Sequence, residues 1–156
     1  MRSMSECCNF LSIAILVALT LGLCLGCFGD PELHPVTGKV TLQGKSYERL
    51  IVYFRPLQGE ISQFNMGVGE TDGSGNLALR SSAGNGLAAG TYRVAFSCMT
   101  VRGTGAVPGM DEKADDNQNI QMVERVPTKY ADLENSPVEF EVRAGTNEFI
   151  FDIPKS

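Results

Sequence analysis

Cysteine and histidine are the residue types that most often carry nucleophilic or metal chemistry, and this chain of 156 residues has five cysteines and one histidine. Four of the cysteines, Cys7, Cys8, Cys24 and Cys27, precede the body of the chain, where Cys98 is the remaining thiol. Since Cys98 has no second thiol in the body to pair with, the sequence does not predict a disulfide framework. A thiolate-rich zinc site needs four converging ligands, which one histidine and one body cysteine cannot supply.

A nucleophilic dyad of Cys98 and His34 is the catalytic pair that these residue types allow. Cys98 falls on the apolar face of a predicted strand, TYRVAFSC, whereas His34 lies in the Pro-bounded stretch FGDPELHP. Burial in apolar surroundings raises the pKa of a thiol and makes it a weak nucleophile, so we interpret Cys98 as an inert core residue. The sequence also lacks a G-x-S-x-G elbow, a Walker loop and a G-x-G-x-x-G loop, so we expect no enzymatic activity and no cofactor.

Two groups of oxygen-bearing side chains have the residue types that bind calcium. In DGSGN, Asp72, Ser74 and Asn76 alternate as at the start of a calcium loop, but the later glycine and glutamate of an EF-hand are missing, which favours a β-turn. A better candidate is the set of carboxylates in a long acidic loop, Asp111, Glu112, Asp115 and Asp116. The default interpretation of this second group is a solvated charged loop without metal.

Residues 10–26, FLSIAILVALTLGLCLG, form an uncharged run whose ending bears on how the chain is targeted. A membrane-spanning helix needs about 20 apolar residues and a signal-peptide core about 7 to 15, so length alone does not decide. The ending Cys24-Leu25-Gly26-Cys27 resembles a bacterial lipobox, in which a small residue precedes the cysteine that receives a diacylglyceryl thioether. We therefore predict a lipoprotein signal peptide with lipid attachment at Cys27, and the alternatives are an uncleaved amino-terminal anchor and simple secretion.

All three alternatives export the body of the chain. If Cys27 is lipidated, its thioether-linked diacylglycerol and an amide-linked chain such as palmitate would anchor the protein stably, because two or more acyl chains together resist dissociation. The predicted localisation is the cell envelope, on its periplasmic or cell-surface face. The formal net charge of −5 argues against a nucleic-acid partner, since phosphate binding needs clustered Lys and Arg.

The body of the chain alternates apolar and polar residues with the period of short β-strands. In VEFEVR, for example, Val138, Phe140 and Val142 share one face and the glutamates share the other. Six or seven such runs separated by turns predict an all-β fold, an antiparallel β-sandwich that follows an amino-terminal signal helix. The predicted strands are VTGKVTL, LIVYFRP, a run ending at Glu70 or Thr71, NLALR, TYRVAFSC, VEFEVR and EFIFDI.

The long acidic loop is the exception to this pattern. Residues 101–124 lack periodicity and are too many for an ordinary hairpin connection. The predicted organisation is therefore a signal peptide over 1–26, a tether over 27–35, and a β-domain over 36–156 that carries an irregular acidic loop at 101–124.

Six motifs follow one another along the body of the chain: PVTGKVTLQGK, IVYFRPL, GETDGSGNLAL, LAAGTYRVAFS, VPTKYADLENSPVEFEV and GTNEFIFDI. Their order resembles that of small planctomycete-type lipoproteins with a transthyretin-like, carboxypeptidase-regulatory-like domain. The resemblance implies a seven-stranded, Ig-like sandwich of prealbumin topology that acts as an accessory module without known catalysis. The chain departs from the family pattern in its longer acidic loop and in the link SYERL.

These observations predict a non-catalytic cell-envelope lipoprotein whose β-sandwich is a structural or interaction module, with an envelope protein or a polysaccharide as its partner. The alternative is an accessory or ligand-binding domain that docks on a secreted hydrolase or binds polysaccharide. Tyr130 in VPTKYADL is a candidate contact residue, because aromatic side chains dominate contact sites. Its other interpretation is that the ring closes one end of the sandwich.

Overall fold

The computed structural model describes residues 29–103, 105 and 121–155. These residues fold mostly into β-strands, so the predicted all-β class is confirmed. The predicted signal helix falls outside the described ranges. Within those ranges, no helix has the length and apolar character needed to cross a membrane. The elements in chain order are β1 (Val36–Leu42), β2 (Ile51–Pro56), β3 (Gly67–Thr71), β4 (Asn76–Ser81), β5 (Gly84–Asn85), β6 (Gly90–Ser97), β7 (Met99–Val101), β8 (Met122–Glu124), α1 (Thr128–Ala131), β9 (Val138–Val142) and β10 (Asn147–Ile153).

Seven strands follow one hydrogen-bonded path, β10-β1-β4-β3-β2-β6-β9, and β5 pairs with β4. The sheet is nearly closed into a barrel, with β9 and β10 at the two ends of the path. The prediction of antiparallel pairing is wrong for one pair, because β1 and β10 run parallel from Val36 beside Asn147 to Leu42 beside Ile153. In chain order these are the first and last strands of the sheet. No short hairpin joins them, so nothing forces them to pair antiparallel.

The predicted alternation places the expected side chains in the core. On β6, Tyr92, Val94 and Phe96 are all buried, and Cys98 is buried just after the strand ends. The outward glutamates of β9 are exposed. Only one face of β2 is fully covered, because Leu50, Val52 and Phe54 are buried while Ile51 and Tyr53 are half-buried. The second face of this strand is therefore only partly covered.

The acidic loop is shorter than predicted, because both of its ends are strands. β7 and β8 pair antiparallel in a separate two-stranded ribbon, from Met99 beside Glu124 to Val101 beside Met122. The carboxylate of Glu124 fastens this ribbon to the sheet by accepting hydrogen bonds from the Ser97 hydroxyl at 2.7 Å and from the Cys98 N–H at 2.8 Å. Such tertiary contacts leave no periodic signal in the sequence, and neither does the four-residue helix α1.

The turn between β3 and β4 confirms the β-turn predicted for DGSGN. The Asp72 carboxylate accepts hydrogen bonds from the backbone N–H groups of Ser74 and Asn76 at 2.8 and 2.9 Å, and from the Asn76 side-chain amide at 2.8 Å. These bonds, with that of the Asn76 side chain the strongest cause, lower the pKa of Asp72 because they favour its charged form. The positive φ of the turn belongs to Gly75, at +83°.

Candidate binding groove between the edge strands

The strands β9 and β10 follow each other in the chain but do not pair with each other. Because β10 runs parallel to β1 and every other step along the path is antiparallel, β9 and β10 run in opposite directions across an open seam. An edge strand has backbone N–H and C=O groups that its single neighbour does not use. The barrel therefore presents two facing edges at one place.

The seam forms an open groove of about 690 Å³, which we call the β9–β10 groove. Its floor is aromatic: the rings of Phe140 on β9 and Phe149 on β10 lie 5.2 Å apart, edge to face. The Phe149 ring centroid is also 6.1 Å from that of Phe151 and 5.3 Å from that of Phe54 on β2. Edge-to-face and offset aromatic pairs attract each other beyond the area that they bury. These rings hold the two edges together where a hydrogen-bonded ladder is missing.

The floor of the groove is only partly covered. Phe149 is 4% exposed, whereas Phe140 and Phe151 are half-buried although both pack against the core. Half-buried aromatic rings at the bottom of a concave surface can bury more apolar area when a ligand is bound. The apolar floor of the groove therefore remains partly exposed to solvent.

Tyr130 lies at one end of the β9–β10 groove on the short helix α1. Its ring centroid is 6.3 Å from that of Phe151, and the ammonium of Lys129 lies 5.5 Å from the Tyr130 ring. The ring is half-buried and packs against the core, and it also lines the groove. Tyr130 thus packs on the core and lines the groove, and both its role in binding a partner and its role in closing an end of the domain stay predictions.

Carboxylates from both strands flank the groove on its outer side. Glu139 on β9 and Glu148 on β10 line it and are exposed. Glu139 forms an ion pair with the Arg93 guanidinium at 3.8 Å, a distance too long for a hydrogen bond. Ile150, next on the outer face of β10, lines the groove and is 68% exposed, the largest exposed fraction among the described large apolar residues. The rim thus combines negative charge with one exposed apolar side chain.

Two further carboxylates on these strands are used within the fold. Glu141 accepts two hydrogen bonds from the Arg143 guanidinium, at 2.6 and 3.0 Å, and this partner lowers the pKa of Glu141. Asp152 accepts hydrogen bonds from the Gly44 N–H at 2.8 Å and the Thr41 hydroxyl at 2.7 Å, which lower its pKa in that order of strength. The lowered pKa values keep Glu141 and Asp152 charged at neutral pH, so both add negative charge to the outer faces of β9 and β10.

Asn147 organises the connection between β9 and β10. Its side-chain oxygen accepts a hydrogen bond from the Arg143 N–H, and its side-chain nitrogen donates one to the Arg143 C=O, both at 2.9 Å. The same nitrogen donates to the Gly145 C=O at 3.1 Å, and Asn147 is 8% exposed. The side-chain amide therefore occupies the position that a backbone peptide of β10 would take in an ordinary hairpin. Sequence reasoning missed this residue, and its one signal is an asparagine at the start of an apolar strand.

The arginine pair on β2 and β6 is not a second site. Arg55 and Arg93 lie directly opposite each other. The Glu134 carboxylate pairs with Arg55, whereas Arg93 donates to the Glu134 C=O and forms an ion pair of 3.8 Å with Glu139. The small cavity beside them, about 160 Å³, is lined by these three residues together with Pro56, Leu57 and Leu133. The local charges are already paired within the chain.

The predicted cysteine and histidine have separate partners. Cys98 is 1% exposed, and burial, followed by the nearby Glu124, raises its pKa to about 11. His34 is buried, pairs through its backbone with Leu87, and accepts a hydrogen bond at Nδ1 from the Gly145 N–H at 3.3 Å. These surroundings agree with an inert core thiol.

The remaining predicted sites fall outside the residues that the structure describes. They are Cys27 and the acidic-loop carboxylates Asp111, Glu112, Asp115 and Asp116. Among the residues that are described, no group of three or more His, Cys, Asp or Glu side chains is arranged to hold a metal ion. Lipid attachment and calcium binding therefore stay predictions.

Comparisons with known proteins give no relative on which to base a function. No family model matches the chain, and the searches of curated proteins and of solved structures gave no significant match. The family resemblance of the motifs therefore stays a hypothesis.

Proposed function

We propose that this chain is a non-catalytic lipoprotein of the cell envelope, anchored through Cys27, whose β-domain binds a partner in the β9–β10 groove. The observation that carries the proposal is the juxtaposition, at the half-buried rings of Phe140 and Phe151, of two strand edges that pair with no further strand among the described residues. Exposed strand edges favour association with another chain, and protein folds usually cover or charge them. Here the edges face each other across a concave apolar surface, which is typical of a binding site.

We also propose that the domain is a variant of the transthyretin-like sandwich. In this arrangement, β2, β3, β6 and β9 form one layer, and β1, β4 and β10 form the other, with the β3–β4 hairpin joining them. Ring contacts between strands that are not neighbours in the sheet support it: Phe149 on β10 is 5.3 Å from Phe54 on β2 and 6.3 Å from Phe96 on β6. Aromatic packing across the interior is what two facing layers require.

Envelope anchoring supports a partner at the same membrane or in the adjacent wall. A lipid anchor followed by a short tether confines the domain close to the bilayer, which raises its effective concentration toward other envelope components. With the domain confined in this way, the groove would be accessible to an envelope protein, to a secreted hydrolase that is retained in the envelope, or to a polysaccharide.

Photo-crosslinking in native envelopes tests the groove directly. A diazirine amino acid replaces Ile150, at the groove, or Val68, which is 46% exposed on β3 and serves as the matched control. We expect a discrete adduct from position 150 in the full-length protein and none from position 68. Equal adducts from both positions, or no adduct from position 150, would contradict the proposed site.

A further inference from the structure

We infer that the partner of the β9–β10 groove is an extended β-strand of another protein, with alternating apolar and basic side chains, which inserts between β9 and β10 and completes the barrel. This inference rests on the proposed function of the groove and names the chemistry of its ligand.

The first argument is the geometry of the two edges. Since β9 and β10 run in opposite directions, a strand between them pairs antiparallel with one and parallel with the other. Its backbone N–H and C=O groups then find partners on both sides, whereas strand addition at an ordinary sheet edge uses one side. A helix or a compact ligand would leave these edge groups without matching partners.

The second argument is the inner surface of the groove. Successive side chains of a strand point to opposite faces, so every second residue of the inserted strand faces the rings of Phe140 and Phe151. Both rings are half-buried, and Phe149 forms the floor between them. Apolar side chains at these alternate positions of the ligand would bury the exposed parts of the two rings.

The third argument is the charge on the outer surface. The remaining side chains of the inserted strand lie level with the outer faces of β9 and β10, where Glu139 and Glu148 flank the groove from both sides. The charged residues that line the groove are these two glutamates and Lys129, so the lining carries a net charge of 1 − 2 = −1. Arg93 forms an ion pair of 3.8 Å with Glu139, and Glu148 lies on the opposite strand. Opposite charges on neighbouring strands stabilise their pairing, whereas like charges oppose it. Lysine or arginine therefore suits the outward positions of the ligand.

The same charge argument disfavours this protein's own segments. The acidic loop sequence MDEKADD carries the same sign as the groove rim. A second copy that offered β9 or β10 would bring Glu139 or Glu148 of that copy against the same carboxylates. The complementary strand consequently belongs to a different protein.

Peptide binding to the full-length protein in detergent micelles tests the inference. The probe is an acetylated and amidated peptide of four Val-Lys repeats, compared with four Val-Glu repeats and with a Val-Lys peptide N-methylated at alternate residues. We expect binding of the first alone, with hydrogen-exchange protection gained in β9 and β10 and not in β3. The double variant Glu139→Gln/Glu148→Gln should weaken this binding at least about tenfold, while the matched variant Glu48→Gln/Glu70→Gln, which removes two exposed charges elsewhere, should not.

The outcomes separate this inference from the proposed function. Equal binding of the Val-Glu peptide, unimpaired binding of the N-methylated peptide, or protection outside β9 and β10 would overturn the strand-insertion inference. Failure of every peptide together with a position-150 crosslink in envelopes would also overturn it, while the groove itself would stand as a binding site for other chemistry. Absence of that crosslink would remove the proposed function.

Discussion

The side-chain amide of Asn147 forms two hydrogen bonds of 2.9 Å with the backbone N–H and C=O of Arg143. In a tight hairpin those two backbone groups would pair with the backbone of the following strand. The amide thus provides hydrogen-bond partners for the backbone of Arg143, just after β9, without pairing β10 with β9. The two strands do not pair with each other, and the β9–β10 groove lies between them.

Replacing Asn147 with alanine should lower the free energy of unfolding by about 1–3 kcal/mol, because partly buried backbone groups of Arg143 and Gly145 lose their partners. Urea unfolding followed by circular dichroism measures the change. The control is Thr146→Ala, an exposed neighbour that should stay within about 0.5 kcal/mol of the parent. Similar losses for both variants would mean that the loop as a whole, and not the amide of Asn147, sets the stability.

Gly38 should tolerate no side chain. A Cβ at this position would lie 1.8 Å from the backbone oxygen of Phe149, in the parallel pair of β1 and β10. We expect Gly38→Ala to cost about 3 kcal/mol or more, because backbone on both sides must move. Gly73→Ala is the control, since nothing lies within 4 Å of its Cβ position. An unfolding midpoint for Gly38→Ala equal to that of the control would argue against the parallel pairing.

Cys98 should resist alkylation until the protein unfolds. Its thiol is 1% exposed, and its pKa is raised to about 11 from an ordinary 9.0. Iodoacetamide labelling at pH 8, quantified for the Cys98 peptide by mass spectrometry, should be about a hundredfold slower in the native protein than in urea, since thiolate is the reactive form. Comparable rates in the two states would show that the thiol is accessible and reactive.

The same raised pKa predicts a loss of stability in alkali. The folded state holds the Cys98 proton more tightly than the unfolded state, so this contribution is complete below the ordinary pKa of 9.0 and is lost as the pH rises toward about 11. In Cys98→Ala the fall in unfolding midpoint between pH 8 and pH 10 should be smaller than in the parent. An unchanged pH slope would contradict this assignment.

Membrane retention should depend on Cys27 and not on Cys24. The lipobox interpretation predicts that Cys27→Ser abolishes the mass increment of a diacylglyceryl group and an acyl chain, because the acceptor thiol is gone. Cys24→Ser, three residues earlier, is the matched control and should keep the modified mass. Intact mass spectrometry of detergent extracts measures the mass of each variant. A full-length, unmodified mass for the parent protein would favour the uncleaved anchor.

The strands were predictable because their signal is local. Alternation alone placed Tyr92, Val94 and Phe96 inside and the glutamates of VEFEVR outside, as the structure has them. The parallel pairing of β1 with β10 was not predictable, since it joins residues such as Val36 and Asn147 that are far apart in the chain. Local periodicity specifies faces but not partners.

The candidate site was predicted only in part. Tyr130 stood out as an aromatic residue in a polar stretch, whereas Phe140 and Phe149 were indistinguishable from core residues. Their role at the groove follows from the missing ladder between β9 and β10, which is a tertiary property. Asn147 was missed because an asparagine next to a turn usually forms hydrogen bonds only within that turn. Here its side chain also forms hydrogen bonds with Arg143, just after the preceding strand.

Hydrogen–deuterium exchange of β9 and β10, compared between the purified full-length protein and the same protein in its native envelope, tests the central claim most directly. In the purified protein, backbone amides on the free edges should exchange faster than those of the central strand β3, which has neighbours on both sides. In the envelope, protection should rise on β9 and β10 and stay constant on β3. Equal exchange of β9 and β10 in the two samples, or edge amides that are already as protected as β3 after purification, would contradict a groove that is open and binds a partner.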